Sequence, residues 1–106
     1  MRVDMTLNIH YTAPKALWAR LWELYTEMPG WRTPCPEEYS PCWFGPEGRG
    51  KWLAASVEPG GLQISGEMPE GEWSQWLALF KERAGEIMGY AIGEPVEGFD
   101  FRYYSE

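Results

Sequence analysis

The sequence has 106 residues, the length of one domain with a single modest hydrophobic core. Its 9 basic and 16 acidic residues give a net charge of −7, which argues against direct nucleic-acid binding because the phosphate backbone is also negative. The sequence contains no apolar run of membrane-spanning length, and its beginning lacks the apolar segment of a signal peptide. We therefore expect a cytoplasmic protein that does not contact membranes and whose thiols are reduced.

The first predicted elements are a strand and a helix. Apolar and polar residues alternate over 3–11, which is typical of a strand with one buried and one polar face. Thr12 and Pro14 suit the start of a helix, and apolar residues then recur at spacings of three and four. The helix is predicted to end where Pro29 and Gly30 interrupt this pattern.

An irregular segment at about 29–50 follows this helix. Its five prolines and four glycines exclude a helix and leave room only for a short strand near 39–44. The aromatic residues of the segment need cover, so we expect an ordered loop, and long ordered loops often carry function. The candidate partner or ligand surface comprises Trp31, Tyr39, Trp43, Phe44 and Trp52. An equally supported interpretation is that these side chains form a minor core.

The second half of the chain is predicted to form a β-hairpin, a long helix and a last strand. Residues 51–58 and 62–68 read as two strands joined by a tight Pro-Gly-Gly turn. Apolar residues at helical spacing over about 69–88 predict an amphipathic helix, which Gly89 is suited to end. Alternation returns over 99–104 and predicts the last strand.

These elements predict a single α+β domain over residues 1–106, in the order β-α-(β)-β-β-α-β. The economical packing places two amphipathic helices on one face of a mostly antiparallel sheet of four or five strands. Without the short strand of the irregular segment, this is the order of the ferredoxin-like, or split βαβ, fold, with the first strand near the sheet centre. The other sheet face would expose His10, Trp52 and Tyr104, so we expect the loop or a second subunit of a homodimer to cover it.

No set of residues predicts catalysis or a bound cofactor. The only histidine, His10, falls on the polar face of a strand, where a surface position is far more common than acid–base chemistry. Cys35 and Cys42 fall short of a four-ligand zinc site, and their separation is not the usual one. Reduced thiols are favoured over a disulfide or a metal site, although the sequence does not decide whether the two cysteines pair. A protein without enzymatic activity is therefore favoured.

Acidic residues are concentrated late in the chain. Residues 67–97 contain seven acidic and two basic residues, so this range carries −5 of the total charge of −7. A candidate acidic ridge comprises Glu82, Glu86, Glu94 and Glu97. Such a ridge would attract a basic protein surface, although a solvated helix back is the more common meaning of this pattern.

Two functional hypotheses follow from these surface features. The first is a small interaction protein, such as an inhibitor, an immunity-type protein or an accessory subunit, that binds another protein through the aromatic residues or the acidic ridge. The second is a small-ligand-binding domain, in which the 29–50 segment folds over the sheet and encloses an aromatic pocket. The first hypothesis predicts a salt-sensitive complex, and the second predicts a ligand-dependent rise in melting temperature.

Overall fold

The computed structural model describes residues 1–32, 41–45, 48 and 50–101. The strands of the described chain are β1 (Arg2–Leu7), β2 (Trp31–Arg32), β3 (Cys42–Trp43), β4 (Trp52–Glu58) and β5 (Gly61–Glu67). Its helices are α1 (Lys15–Glu27), α2 (Glu70–Met88) and a short 3-10 helix (Pro95–Glu97). Two α-helices combined with an antiparallel sheet confirm the predicted α+β class.

The five strands form one antiparallel sheet in the order β1-β5-β4-β3-β2. Its centre is the predicted β4–β5 hairpin, which pairs from Trp52 with Glu67 to Glu58 with Gly61. Gly61 has a φ of 129°, a backbone conformation that side chains rarely permit. A Cβ atom at this position would also collide with the carbonyl oxygen of Leu7 in β1. The turn therefore requires glycine for both its conformation and its close contact with β1.

Both α-helices pack against the same face of this sheet. Alternate residues of three strands enter one hydrophobic core, namely Val3, Leu7, Leu53, Ala55, Leu62 and Ile64. The helices add their apolar faces to the same core, with Leu21, Leu24 and Tyr25 from α1 and Trp73, Trp76, Leu77 and Phe80 from α2. Burial of these faces removes apolar surface from water and is the main stabilising contribution to the fold.

Local sequence signals account for the bounds of α2. The helix begins after Pro69, and Glu70 and Glu72 lie in its first turn, where carboxylates interact favourably with the helix dipole. It ends at Gly89, which adopts a left-handed conformation with a φ of 82° and donates its N–H to the carbonyl of Gly85. The predicted helix and its glycine end are confirmed. Neither α1 nor α2 is long and apolar enough to cross a lipid bilayer.

The first strand differs from its prediction in length and in position. A strand over 3–11 near the sheet centre was expected, but β1 ends at Leu7 and lies at one edge of the described sheet. The alternation also places Asn8 on the polar face. In the structure, Asn8 is buried, with 1% of its surface exposed, and the adjacent Ile9 is buried as well. The strand ends here because Asn8 bonds to the chain that follows α2 and no longer to a neighbouring strand.

The ferredoxin-like strand order is not confirmed. The predicted last strand covers 99–104, but the described part of that range, 99–101, is not a strand, and 102–104 lie outside the described residues. The irregular segment instead supplies two strands, β2 and β3, which pair with each other, and β3 adds to β4. The sheet therefore extends on the side of β4, where the sequence predicts at most one short strand.

Candidate functional site

An aromatic cluster joins both α-helices to the sheet. Each of its rings has a centroid within 6.2 Å of another member's centroid. The members are Trp22 and Tyr25 of α1, Trp31 of β2, Trp43 of β3, and Trp73, Trp76 and Phe80 of α2. Because β2 and β3 have only two residues each, we expect packing of these rings to contribute strongly to holding them in place, beside the pairing of the two strands.

Trp43 lies at the centre of the aromatic cluster. Its ring centroid lies 4.9 Å from that of Trp76, 5.6 Å from that of Tyr25 and 5.9 Å from that of Trp31. The indole Nε1 donates a hydrogen bond of 3.0 Å to the backbone carbonyl of Tyr25. The Trp43 side chain is fully buried, so it leaves no surface for a partner and packs as part of the core.

The other residues of the predicted aromatic surface lie in different environments. Trp31 is half-buried and pairs directly opposite Trp43, so the two share one sheet face. Trp52 is buried, and alternation along β4 places its side chain on the opposite face. Phe44 is half-buried after the end of β3, and Tyr39 lies outside the described residues. The described members therefore do not share one face of the sheet.

Phe44 has a left-handed backbone conformation that is rare for a bulky residue. Its φ is 73°, and its ring packs so tightly on Gly30 that a Cβ atom there would lie 2.6 Å away. The ammonium of Lys51 lies 4.6 Å from the ring centroid of Phe44 and 2.9 Å from a carboxylate oxygen of Glu72. These contacts place Phe44 at the rim of a groove of about 280 Å³ beside α2, with Trp76 in its wall.

A cavity of about 300 Å³ lies between α1 and β4, and we name it the α1–β4 cavity. The described residues that line it are Trp18, Trp22, Tyr25, Pro41, Ala55, Ser56, Val57 and Leu62. It lies beside the part of β4 that follows Ala54, the last β4 residue in register with the described strand β3, where the N–H of Ala55 donates a hydrogen bond of 3.0 Å to the carbonyl of Pro41. Its wall is mainly aromatic and aliphatic, and the polar side-chain groups on it are the Tyr25 hydroxyl and the indole N–H groups of Trp18 and Trp22. Alternation along β4 places the Ser56 hydroxyl on the opposite sheet face.

Apolar side chains at the α1–β4 cavity are exposed to solvent. Trp22 is 45% exposed and Val57 is 48% exposed. The described chain has only three other large hydrophobic residues with comparable exposure, Met1, Tyr11 and Val96. Exposed apolar groups beside a concave surface are typical of sites that bind a ligand or a partner.

Tyr25 adds a polar group to this apolar wall. The residue is only 4% exposed, and burial raises the pKa of its phenol above the ordinary value, so the hydroxyl stays protonated at neutral pH. The backbone carbonyl of Tyr25 accepts a hydrogen bond from Trp43, but its hydroxyl makes none to any other described residue. Helical spacing predicts that Tyr25 lies on the apolar face of α1. The residue type itself, tyrosine, is what indicates a hydroxyl at this position.

The predicted acidic ridge is divided between two elements. Glu82 and Glu86 are exposed on α2, one helical turn apart, whereas Glu94 and Glu97 belong to the 3-10 helix and its N-terminal cap. Glu86 lines a groove between the helices together with one arginine from each of them and with Glu23 and Glu27 of α1, so both signs of charge are present and acidic residues remain in excess. Among the described residues, none of these four glutamates forms an ion pair.

Of the residues considered for catalysis and metal binding, His10 and Cys42 belong to the described part of the chain. The Nδ1 atom of His10 lies 2.6 Å from the hydroxyl of Thr12, and its ring stacks on that of Tyr11. Cys42 is buried, and Cys35 lies outside the described residues, so the state of the two thiols stays a prediction. Over the described ranges, no group of three or more His, Cys, Asp and Glu residues is arranged to hold a metal ion.

Comparisons with known proteins assign no family to this chain. No protein-family model matches its sequence, and no curated protein or solved structure is a significant match. The functional inference therefore depends on the α1–β4 cavity, the aromatic cluster and the distribution of charge.

Proposed function

We propose that the protein is a small non-catalytic ligand-binding domain and that the α1–β4 cavity is its binding site. The observation that carries this proposal is a concave, largely apolar space of about 300 Å³ beside the exposed side chains of Trp22 and Val57. Ligand pockets in proteins typically have volumes of roughly 300 to 1,000 Å³ and apolar walls with few polar groups. The cavity therefore has the dimensions of a site for a small ligand.

The position of the cavity differs in part from the pocket expected from the sequence. Pro41 of the 29–50 segment lines it, in keeping with a pocket beneath that segment. Its aromatic walls come mainly from α1, through Trp18, Trp22 and Tyr25. Trp43 does not line the cavity, but its ring packs against that of Tyr25 and thereby supports the wall.

Val57→Asp is expected to weaken the binding of naphthalene about tenfold. The new carboxylate would be partly dehydrated whenever an apolar ring fills the cavity. The free-energy cost of burying a polar group without a hydrogen bond is about 1–3 kcal/mol in proteins. Because Val57 is 48% exposed, the carboxylate remains hydrated in the unliganded protein, and the fold is expected to persist. Ligand-observed NMR with naphthalene as the probe measures the two affinities.

Val96→Asp is the matched control for this experiment. It is the same substitution at a valine that is 88% exposed in the 3-10 helix and does not line the cavity. Its affinity for naphthalene is expected to stay within about twofold of the unaltered protein. Failure of the unaltered protein to bind naphthalene, or equal losses in the two variants, would contradict the proposal.

A second candidate function, also a proposal, is binding of a basic protein through the acidic ridge, as an inhibitor, an immunity-type protein or an accessory subunit. The observation that favours it is the exposure of Glu82, Glu86 and Glu97, none of which has an ion-pair partner among the described residues. With a net charge of −7, the protein would attract a basic surface, and salt would weaken the complex.

Replacement of the four ridge glutamates by glutamine is expected to abolish capture of such a partner from a host extract at low salt. Mass spectrometry after affinity capture, at low and high salt, identifies the partner and measures the loss. The control variant neutralises four other exposed carboxylates, with the substitutions Asp4→Asn, Glu58→Gln, Glu67→Gln and Glu70→Gln. Both variants have the same net charge, so equal capture by the two would show that the ridge itself is not the binding surface.

A further inference from the structure

The wall of the α1–β4 cavity contains no charged side chain among the described residues that line it. Burial raises the pKa of the Tyr25 phenol, so the surroundings disfavour a negative charge. The net charge of −7 adds a long-range repulsion of anions. A charged ligand would lose hydration in this cavity without gaining a counter-charge, which favours an uncharged ligand.

Two residues that line the cavity carry a hydroxyl, and only the Tyr25 hydroxyl belongs to the α1 side of the sheet, because alternation along β4 places that of Ser56 on the opposite face. The Ser56 hydroxyl donates a hydrogen bond of 2.6 Å to the carboxylate of Glu58. The Tyr25 hydroxyl has no hydrogen-bond partner among the described residues, although the residue is 4% exposed. A buried hydroxyl without a partner is destabilising, and a hydrogen bond from a polar group of a ligand would remove this cost. Tyr25 is therefore the group best suited to anchor a ligand.

The aromatic wall indicates the shape of the ligand. Trp18 and Trp22 lie four residues apart in α1, so both indoles lie on one side of the helix and line the cavity. Aromatic side chains contact flat apolar rings well, in stacked or edge-to-face geometry. A compact ring system of low polarity would fill this space.

We infer that the ligand of the α1–β4 cavity is a small uncharged molecule with a flat apolar body and one polar group that hydrogen-bonds to the Tyr25 hydroxyl. This inference rests on the proposed ligand-binding function. It assigns to Tyr25 the role of a specificity residue, whereas Trp18 and Trp22 provide apolar contact that does not distinguish one ring system from another.

Three probes with the same ring system test this inference, namely naphthalene, 2-naphthol and 2-naphthoate. We expect 2-naphthol to bind about five- to tenfold more tightly than naphthalene, because this ratio corresponds to one net hydrogen bond. We expect 2-naphthoate to bind most weakly of the three. In Tyr25→Phe, the preference for 2-naphthol over naphthalene is expected to fall below about twofold. Isothermal titration calorimetry at neutral pH gives all the affinities.

Tyr11→Phe is the matched control, because Tyr11 is exposed and does not line the cavity. It should retain the preference for 2-naphthol. The melting temperature of Tyr25→Phe should be unchanged or raised, since the variant removes a buried hydroxyl without a described partner. A lowered melting temperature, or an unaltered preference in Tyr25→Phe, would overturn the inference.

The binding function and the role of Tyr25 can be contradicted by different outcomes. Equal binding of naphthalene and 2-naphthol by the unaltered protein would overturn the role of Tyr25 and leave the binding function supported. Tighter binding of 2-naphthoate than of 2-naphthol would overturn the inference of an uncharged ligand. Absence of binding for all three probes would overturn the binding function itself.

Discussion

Trp43→Ala is expected to lower the free energy of unfolding by about 3–5 kcal/mol. The side chain is fully buried, and its ring contacts those of Tyr25, Trp31 and Trp76, which come from three different elements. Alanine would leave a cavity among these rings and would deprive the Tyr25 carbonyl of its indole donor. Because β2 and β3 have only two residues each, we also expect this edge of the sheet to loosen.

Urea denaturation followed by far-UV circular dichroism measures this loss without depending on tryptophan fluorescence. Trp22→Ala is the matched control, since Trp22 belongs to the same aromatic cluster but is 45% exposed. Its cost is expected to be about 1 kcal/mol, because much of the indole surface is already in contact with water. Equal losses in the two variants would contradict the central position of Trp43.

Trp43→Phe separates ring packing from the hydrogen bond. Phenylalanine keeps an aromatic ring among Tyr25, Trp31 and Trp76 but cannot donate to the Tyr25 carbonyl. The free energy of unfolding of Trp43→Phe is expected to lie between those of the unaltered protein and Trp43→Ala. A variant as unstable as Trp43→Ala would show that the indole hydrogen bond, and not the volume of the ring, holds β3 in place.

Elements with long local patterns could be predicted from the sequence. The apolar spacing of Trp73, Trp76 and Phe80 continues through five turns of α2, so a helix with one buried face was the only consistent interpretation. The hairpin was equally secure, because alternating strands flank a Pro-Gly-Gly turn and Gly61 tolerates the required conformation. In both cases, the information lies within the element itself.

The aromatic cluster and the α1–β4 cavity depend on contacts between distant segments. The sequence shows that Trp31 and Trp43 need cover, but not that Trp76 of α2 packs on Trp43. Nor does it show that Trp22 of α1 packs on Trp31. The cavity lies where α1 faces β4, and no local pattern determines how two elements so distant in the sequence pack against each other. The same limit applies to Tyr25, whose apolar neighbours in α1 predict its burial but not that its hydroxyl finds no hydrogen-bond partner among the described residues.

Asn8 shows how a local pattern misleads when an element ends early. The alternation over 3–11 assigns Asn8 to the polar face on the assumption that the strand continues. The strand stops at Leu7, and Asn8 turns inward to contact the segment that follows α2. Asparagine was a signal for a turn at this position, because its side chain readily bonds backbone groups and is depleted in strands.

Asn8→Ala is expected to cost about 2–4 kcal/mol and to release the segment after α2. The Nδ2 group of Asn8 donates to the carbonyls of Ala91 and Asp100 at 3.0 and 2.9 Å. Its Oδ1 atom accepts a hydrogen bond of 2.9 Å from the N–H of Gly93. Alanine would remove all three bonds and leave these backbone groups without their partner.

Amide hydrogen exchange locates this effect within the chain. In Asn8→Ala, we expect faster exchange of two N–H groups. One belongs to Gly93, and the other belongs to residue 8 itself and donates to the Gly93 carbonyl. Amides of the β4–β5 hairpin should keep their protection, because their partners are unchanged. Gln63→Ala is the control, since it removes a hydrogen bond to Asp4 that lies at the surface, and it should cost less than about 0.5 kcal/mol.

Asn8→Asp tests whether the hydrogen bonds or the side-chain volume matter. Aspartate has nearly the same shape, and it could still accept from Gly93, but its carboxylate cannot donate to the carbonyls of Ala91 and Asp100. It would also bury a charge beside two carbonyl oxygens, so Asn8→Asp should be at least as unstable as Asn8→Ala. If Asn8→Asp proved as stable as the unaltered protein, the two donated hydrogen bonds would not be what holds the C-terminal segment to β1.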